Sequence, residues 1–280
     1  MSGIFQGMIY GLIALGIVLI FKATKVFNFA QGHLLMMGVL LSLMFINRFH
    51  IGIAIPLVIA CAFGIGWVLE RGIMRPLIGQ PLISALLMTL AVAYLLDGVA
   101  TIFWGTKIVP YPQWYPEQSF PFMAIEVSSG VVWTILVAAG IFVALAFFYR
   151  RSLMGKAMRA TADSHQVSQS LGIKVTRVFS LCWIMAAVIA FIMALFFGVH
   201  VGAFRYLSEW GFRAIPAVLI GGMESILGAL IGGLLVGVLE VIATAYLGAF
   251  IGSMFPFIIL LIAIIVKPHG LFGQPEIVRV

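Results

Sequence analysis

Long uninterrupted runs of apolar residues dominate this chain and leave few folds open to it. A helix needs roughly 18–20 apolar residues to cross about 30 Å of hydrocarbon, and several runs approach or exceed that length. These runs are Gly3–Phe21, Ile51–Leu69, Leu82–Trp104, Gly130–Tyr149 and Val178–Gly198. Backbone groups in lipid must be satisfied within the protein, which permits only helices or closed barrels, and runs without strict alternation exclude a barrel. The sequence therefore predicts an all-α, polytopic membrane bundle.

Charged residues are scarce, and their positions argue against a nucleic-acid partner. Only 9% of the 280 residues are charged, whereas about a quarter is usual for a soluble domain. The basic residues behind the net charge of +7 lie in short loops beside the apolar runs, so lipid rather than nucleic acid is the expected partner. Cys61 and Cys182 lie within predicted spans without metal-ligand spacing, and the histidines are scattered without a pairing motif. We therefore predict neither a metal site nor catalytic residues.

The loops between the apolar runs predict the orientation of the chain. Segment 150–177 carries six basic residues and a single acid, Asp163, and short loops rich in Lys and Arg stay in the cytoplasm. Counting back through alternating loops places the N-terminus outside, and the C-terminal tail with Lys267 and Arg279 in the cytoplasm. Loop 105–129 then falls outside. Its prolines and aromatic rings are typical either of an anchor at the membrane surface or of a docking surface for an external partner.

Two glycine-containing interruptions suggest that some crossings are broken. They are Phe27–His33 and Gly221–Ser225, and segments interrupted in this way often line the central pathway of a transporter. We predict one transmembrane permease domain over residues 1–280, with roughly eight or nine crossings, some of them broken or re-entrant. The polar groups at the first break could satisfy free backbone groups or contact a polar solute. The candidate pathway residues here are Asn28, Gln31, His33, Gly221 and Gly222.

Glycines at four-residue spacing predict close packing of helices. Such ridges let two backbones approach in lipid, where apolar side chains gain little from burial against one another. We interpret the ridges as helix packing rather than as ligand sites. They are Gly3, Gly7 and Gly11 in the first run, and Gly228 with Gly232 and Gly233 with Gly237 in a later one.

Two acids lie inside predicted spans, where a carboxylate costs several kcal/mol unless it faces the bundle interior (about 2.5–3.5 by insertion scales). Asp97 shares one helical face with Tyr94 and Thr101, and Glu240 lies in a later span. These side chains could line the translocation pathway or a subunit interface, or they could form a structural hydrogen bond between helices. Both interpretations stay open.

Residues Gly155–Gly172 predict a short amphipathic helix, entered after Gly155 and closed by Gly172. The helix could lie on the lipid surface as a simple loop, or it could fit a groove on an ATPase and transmit its motion. In the second interpretation Arg159 is the polar anchor, because a guanidinium holds a carboxylate or carbonyls in fixed geometry. The candidate coupling residues are Gly155, Lys156, Arg159, Ala160, Asp163, Leu171 and Gly172.

Four stretches spread over nearly the whole chain resemble one known family. Taken in order, they resemble the LivH-type permeases of branched-chain amino acid ABC importers. His33 and Glu224 depart from that pattern, because these positions are often acidic and glycine, respectively, in the family. The stretches are Tyr10–Gly16 leading to Asn28–Gly32; Gly155–Ala160 with Leu171–Ile173; Gly221 and Gly222 with Ser225, Gly228, Ala229, Gly232, Gly233, Gly237 and Glu240; and Pro268–Gly273.

The resemblance implies a division of labour among several subunits. An external solute-binding protein would deliver the solute to two permease subunits, this chain and a LivM-like partner, in the bacterial cytoplasmic membrane. Two ATP-binding subunits would bind ATP and Mg²⁺, so this chain is expected to bind no cofactor. The sequence itself agrees, because it contains no G-x-x-x-x-G-K-[ST] motif. The implied cargo is a branched-chain or other hydrophobic amino acid, or a related small amide or carboxylate.

A different class of protein also fits the residues. A self-contained channel or an ion-coupled secondary transporter would use buried acids for coupling, and Asp97 and Glu240 could supply them. Dependence of uptake on a separate ATPase distinguishes the importer from this alternative.

Overall fold

The computed structural model describes residues 2–122, 125–267 and 270–273, and helices make up most of it. Strands β1 (Ser119–Phe122) and β2 (Ile125–Ser128) form an antiparallel hairpin, so the all-α prediction is confirmed apart from this small element. Short helical turns of other types occupy Leu69–Met74 (π) and Arg75–Leu77 and Arg205–Ser208 (3-10). The α-helices of the described residues are α1 Ser2–Thr24, α2 Gln31–Arg48, α3 Ile51–Val68, α4 Leu82–Trp104, α5 Ser129–Arg151, α6 Leu153–Asp163, α7 His165–Ser170, α8 Val175–Val201, α9 Glu209–Arg213, α10 Ile215–Gly221, α11 Ile226–Leu247 and α12 Ala249–Val266.

Seven helices within the described residues are long and apolar enough to cross a membrane: α1, α3, α4, α5, α8, α11 and α12. The chain is therefore a multi-pass membrane protein. Helix α2 is not among the seven, and α10 has only seven residues. The predicted number of eight or nine crossings stays a prediction, because length and composition alone identify only these seven.

Helices α1 and α8 form the centre of the bundle. Most of their residues are buried, whereas α3, α4, α5 and α12 bury less than a third of theirs. Helix α1 packs most extensively against α11, and α8 packs against α1, α2 and α3. Exposed side chains on the outer four helices are large and apolar, as expected of a surface that meets lipid or another membrane subunit.

Glycines allow the close contact between α1 and α11. A Cβ atom on Gly237 would lie 2.2 Å from the backbone nitrogen of Gly7, and one on Gly233 would lie 2.4 Å from the Cα atom of Gly11. Only glycine fits at such distances, which let the two backbones touch. The predicted interpretation of these ridges as helix packing is confirmed for both pairs.

The two ends of the bundle differ in chemistry. At one end the Lys22 ammonium donates a hydrogen bond to the Glu224 carbonyl oxygen at 2.9 Å, and Lys25 forms an ion pair with the Glu224 carboxylate. Segment 150–177 reaches the same end, where the His165 ring contacts the Ala23 carbonyl. We call this end the basic end and the opposite one, which carries β1 and β2, the hairpin end. Glu224, which departs from the family pattern, is thus paired with lysine.

Aromatic residues of the loop before β1 close the hairpin end. The Tyr111 hydroxyl donates to Ser42 Oγ at 2.8 Å, and the Trp114 indole donates to the Leu195 carbonyl at 2.9 Å. Burial raises the pKa of Tyr111, so its hydroxyl stays protonated and remains a donor. Tyr111 is buried and Trp114 partly so, and these two rings therefore pack on α2 and α8. The roles predicted for the loop, a membrane-surface anchor or an external docking surface, stay predictions.

Candidate transport and coupling sites

The break before α2 lies inside the bundle and is satisfied by its own chain. Asn28 is fully buried; its amide nitrogen donates to Gln31 Oε1 at 3.1 Å, and its oxygen accepts from the Ala30 backbone N–H at 3.0 Å. Gln31 Nε2 in turn donates to the carbonyl of Ala186 at the centre of α8, at 3.1 Å. Irregular backbone at membrane depth is tolerated only where the protein satisfies it, and these contacts match the structural interpretation of Asn28 and Gln31.

His33, the third polar residue of this break, is placed differently. It lies in the first turn of α2 and is only 6% exposed, and its Nδ1 atom finds no hydrogen-bond partner in the described part of the chain. A buried ring nitrogen without a partner carries a desolvation cost, which a solute or a water molecule could relieve. Of the three polar residues at the break, His33 therefore stays the strongest pathway candidate.

Asp97 is paired with an arginine that the sequence did not connect to it. The Arg205 Nη2 atom lies 3.1 Å from Asp97 Oδ2, and both side chains are about one-quarter exposed (28% and 23%). Arg205 lies in the 3-10 turn after α8, over the ring of Tyr206, and its Nε atom is buried without a partner in the described residues. The pair joins α4 to the broken segment between α8 and α10.

Glu240 has a similar but looser arrangement. Its Oε1 atom lies 3.7 Å from Arg213 Nη1 at the end of α9, and its buried Oε2 atom has no partner among the described residues. Glu240 is 3% exposed, so nearly all of its surface is removed from the surroundings. An arginine close to each acid offsets the cost of holding a carboxylate in an apolar bundle.

The other two residues of the predicted α4 face, Tyr94 and Thr101, lie in different surroundings. Thr101 donates to the backbone carbonyl of Asp97 at 2.8 Å, a bond within the helix, whereas Tyr94 is 77% exposed on the outside of the bundle. In this chain alone Tyr94 cannot line an enclosed pathway. The alternative in which this face meets another subunit fits its exposure and stays a prediction.

Gly221 and Gly222 occupy a tightly packed turn at the basic end. A Cβ atom on Gly221 would lie 2.1 Å from the Gly228 carbonyl oxygen, and Gly222 has a φ of 98°, which favours glycine. Phe272 donates its backbone N–H to the Gly221 carbonyl at 3.2 Å. Packing therefore explains both glycines without a solute. Of the last stretch of the family pattern, Pro268 and His269 lie outside the described residues, as does Arg279 of the tail.

The predicted helix over Gly155–Gly172 is two helices, and the prediction was wrong in that respect. Helix α6 begins at Leu153, where the Ser152 hydroxyl accepts from the Gly155 backbone N–H at 2.8 Å, so Gly155 lies in the first turn rather than before it. Ser164 then ends α6 and caps α7 by accepting from the Val167 backbone N–H at 3.3 Å. A serine with extended backbone (φ −159°, ψ 120°) breaks the helix because its side chain satisfies the new first turn.

Arg159 points toward the bundle, which corrects its interpretation as an anchor on a partner. Its guanidinium donates to the Tyr149 carbonyl and lies 5.3 Å from the centre of the Tyr149 ring. The Lys22 ammonium lies 4.4 Å from the centre of the same ring. Arg159 thus fastens α6 to the end of α5, a role that the sequence could not distinguish from an outward one.

The outer surface of α6 and α7 mixes charges with exposed apolar side chains. Lys156, Asp163 and Gly172 are exposed and Ala160 is partly so, in agreement with a surface position for these coupling candidates. Leu153, Val167 and Leu171 are 82%, 57% and 72% exposed. The sequence analysis singled out Leu171 but missed Leu153 and Val167, which begin α6 and lie in α7, respectively. We call these three side chains the apolar contact set.

These observations define the class of protein first: a multi-pass helical membrane protein with a broken interior and an exposed helical segment at its basic end. Residues 1–265 match the family model described as "Branched-chain amino acid transport system / permease component". The chain belongs to that family of transport permeases, and the resemblance found in the sequence is confirmed.

Named relatives match this chain over nearly their full length. It is 31% identical to the high-affinity branched-chain amino acid transport system permease protein LivH of Escherichia coli strain K12, covering 100% of this chain and 96% of that protein. BraD of Pseudomonas aeruginosa, which carries the same description, is 27% identical with the same coverage. A probable LivH of Methanocaldococcus jannaschii is 27% identical over 94% of this chain and 88% of that protein. A solved structure, "PsaBC from Streptococcus pneumoniae in complex with Fab", aligns at a TM-score of 0.49 and 15% identity, over 97% of this chain and 92% of that one, and is too distant to support any argument.

Proposed function

We propose that this chain is one membrane-spanning permease subunit of an ATP-driven importer. Its cargo is a branched-chain or other hydrophobic amino acid, or a related small amide or carboxylate, delivered by an external binding protein. A LivM-like permease pairs with it, and two partner subunits bind ATP and Mg²⁺ at the basic end, which faces the cytoplasm in the bacterial inner membrane. The names of the relatives support this assignment.

The apolar contact set is the observation that carries the proposal. Leu153, Val167 and Leu171 are exposed on a segment that is otherwise polar and basic, and such a surface at the end of a membrane protein is typical of an interaction site. Arg159 ties the same segment to Tyr149 in the bundle. A partner that holds the contact set can therefore move the end of α5 through the Arg159–Tyr149 contact.

The arginine partners of the two buried acids argue against the ion-coupled alternative. A coupling carboxylate must gain and lose a cation or a proton, but a guanidinium 3.1 Å from Asp97 already neutralises that charge. Glu240 has Arg213 at 3.7 Å. Both acids can thus be held in the bundle without an exchangeable ion.

The test is co-purification of the ATP-binding subunits with charged variants of α7 and of Leu171, the residue that follows it. Val167→Glu and Leu171→Glu should release these subunits, because each would bury a carboxylate at an apolar contact. Gln169→Glu is the matched control, since it adds the same charge at an exposed polar position of the same helix. Arg159→Ala should instead keep the subunits bound but lower solute-stimulated ATP hydrolysis, since it loosens the link to the bundle. If both apolar variants retain the subunits as well as the control does, the segment is not the docking site.

A further inference from the structure

The two interrupted segments of the chain meet at the basic end through a lysine and a glutamate. Segment 25–30 links α1 to α2, and the turn at 222–225 links α10 to α11. The Lys25 ammonium forms an ion pair with the Glu224 carboxylate, although the two residues are 199 positions apart in the chain. The contact therefore joins the two segments in which the sequence analysis placed pathway candidates.

Lys25 adopts a backbone conformation that lysine rarely takes. Its φ is 57°, and no other non-glycine residue in the described part of the chain has a positive φ. Glycine is the usual residue where a helix ends in this left-handed conformation, because a Cβ atom there meets the backbone. Such strain persists where surrounding contacts hold it, and it is concentrated at functional positions. The ion pair with Glu224 is a contact that glycine at this position could not make.

Glu224 belongs to a turn whose backbone is held without its side chain. The Ser225 backbone N–H donates to the Gly222 carbonyl at 3.0 Å. The Ser225 hydroxyl caps α11 by accepting from the Gly228 backbone N–H at 2.9 Å. Because these bonds leave the Glu224 carboxylate unused, the turn itself does not require an acid at this position, and the carboxylate is available to Lys25.

Lys22 and Lys25 hold Glu224 in different ways. Lys22 donates to the Glu224 carbonyl oxygen at 2.9 Å, a bond that does not depend on the glutamate side chain, and its ammonium also lies over the Tyr149 ring of α5. The Lys25–Glu224 pair involves side chains alone, each 40% exposed, and ion pairs that water can reach are individually weak. Lys22 can therefore keep the turn in place while the exposed pair opens and closes.

Helix α7 contacts the end of α1 that carries Lys25. The His165 ring lies 3.0 Å from the carbonyl oxygen of Ala23, two residues before Lys25, so a movement of α7 displaces this end of α1. We propose that Lys25 and Glu224 form a latch, which holds the two interrupted segments together at the basic end and opens when a partner moves α7. The positioning role stands on the contacts alone, whereas the opening rests on the proposed function.

Hydrogen exchange of the purified chain in nanodiscs tests the positioning role without any transport step. Glu224→Gln should speed exchange of backbone amides 25–30 about two- to fivefold, the range that the loss of one exposed ion pair allows. Glu117→Gln is the matched control, because it removes the same charge at an exposed position of the hairpin end. Raising the salt concentration from about 0.05 M to about 1 M should speed the same amides in the unchanged protein but not in Glu224→Gln. Equal exchange in the two variants would overturn the proposal.

The variant Lys25→Gly separates the ion pair from a simple role in ending α1. Glycine suits a positive φ better than lysine, so a lysine that only ended the helix could be replaced with unchanged or slower exchange of amides 222–226. A latch predicts the opposite result. Exchange of these amides should become faster, although the substituted residue lies in the other segment. Unchanged or slower exchange there would rule out the latch.

Chemical bridging tests whether the latch opens during transport. In a background of Cys61→Ala and Cys182→Ala, the pair Lys25→Cys and Glu224→Cys can be joined by a short bifunctional thiosulfonate reagent and released by a reductant. In the assembled importer in liposomes, bridging should stop solute uptake and the reductant should restore it, whereas monofunctional methyl methanethiosulfonate should leave uptake in place. Uptake that persists in the bridged importer would mean a fixed contact and overturn the opening step. Uptake that does not depend on the ATP-binding subunits would instead overturn the proposed function and leave the exchange results intact.

Discussion

Interior and outer helices of this bundle use glycine in opposite ways. Between α1 and α11, glycines are contact points at which a single added methyl group would meet backbone. On the outer helices, Gly64, Gly98 and Gly140 have nothing within 4 Å of an added Cβ. In lipid, where apolar burial gives little drive for association, close backbone contact replaces it. The packed faces of the outer helices follow the same rule, at Gly66 in α3 and Gly252 in α12, so close glycine contact marks the packed face of a helix.

The interior and the outer helices also differ in whether their contacts are made within this chain. In the interior, the glycines of α1 pack against α11, and Asn28 and Gln31 make their hydrogen bonds to other residues of this chain. The outer helices expose large apolar residues and the Tyr94 face of α4. A closely packed interior with exposed apolar outer faces is the architecture expected of a subunit. Substitutions in the interior should therefore affect stability more than the same substitutions on the outer faces.

The largest effect is expected at the contact between α1 and α11. Gly237→Leu should prevent assembly of the bundle, because even the first carbon of the new side chain would lie 2.2 Å from the Gly7 backbone nitrogen. The expected result is loss of the monodisperse peak in detergent size-exclusion chromatography. Gly140→Leu, which adds the same side chain to the exposed side of α5, should elute like the unchanged protein. Equal behaviour of the two variants would erase the distinction between interior and outer glycines.

The next largest effect is expected where α4 meets the interior, at the Asp97–Arg205 pair. Arg205→Ala leaves a half-buried carboxylate unpaired and should lower stability by about 2–4 kcal/mol, since breaking a buried ion pair exposes one charge to an apolar medium. Asp97→Asn with Arg205→Gln should recover most of that loss, because no unpaired charge remains. The measurement is the midpoint of thermal unfolding in detergent. If the double variant is no more stable than Arg205→Ala, the charges are not coupled.

The same double variant separates two roles for Asp97 in transport. A carboxylate that only balances Arg205 can be replaced together with its partner, and uptake should then persist. Uptake that depends on sodium or protons, and that disappears in Asp97→Asn even with Arg205→Gln, would favour the ion-coupled alternative.

Much of the fold could be predicted from sequence because lipid imposes one simple rule. Long apolar runs must become helices, and the glycine ridges at positions 7, 11, 233 and 237 must pack closely, so both predictions were confirmed by the structure. The break at Phe27–His33 was also visible, because polar residues interrupt an otherwise apolar pattern. In each case the local sequence carries the constraint.

Contacts between distant segments could not be predicted from the same patterns. Asp97 and Arg205 are separated by more than a hundred residues in the chain. A buried acid requires a counter-charge, but the sequence offers both Arg205 and Arg213 near the same end and does not say which of them Asp97 meets.

Glu70 and Arg75, which form an ion pair, are five residues apart and would face different sides of an α-helix. The π turn, whose hydrogen bonds join residues five apart, brings them together. The split of α6 from α7 was missed because a serine can continue a helix or cap a new one.

The smallest effect on stability is expected for two glycines of one helix, which compare a packed position with an exposed one directly. Gly66 in α3 faces α8, where a Cβ atom would lie 2.8 Å from the Ile184 Cα atom and 2.9 Å from the Trp183 carbonyl oxygen; Gly64 faces open space. Gly66→Ala should lower the free energy of unfolding by about 1–3 kcal/mol, because both neighbours are backbone atoms and only movement of the whole helix relieves the contact. Gly64→Ala should be neutral or raise stability by up to about 1 kcal/mol, since alanine favours a helix over glycine. Both variants add one methyl group to the same helix, so helix propensity cancels between them and the difference in unfolding midpoint reports packing alone. A Gly66→Ala variant as stable as Gly64→Ala would mean that α3 shifts freely against α8 and belongs with the outer helices on both of its faces.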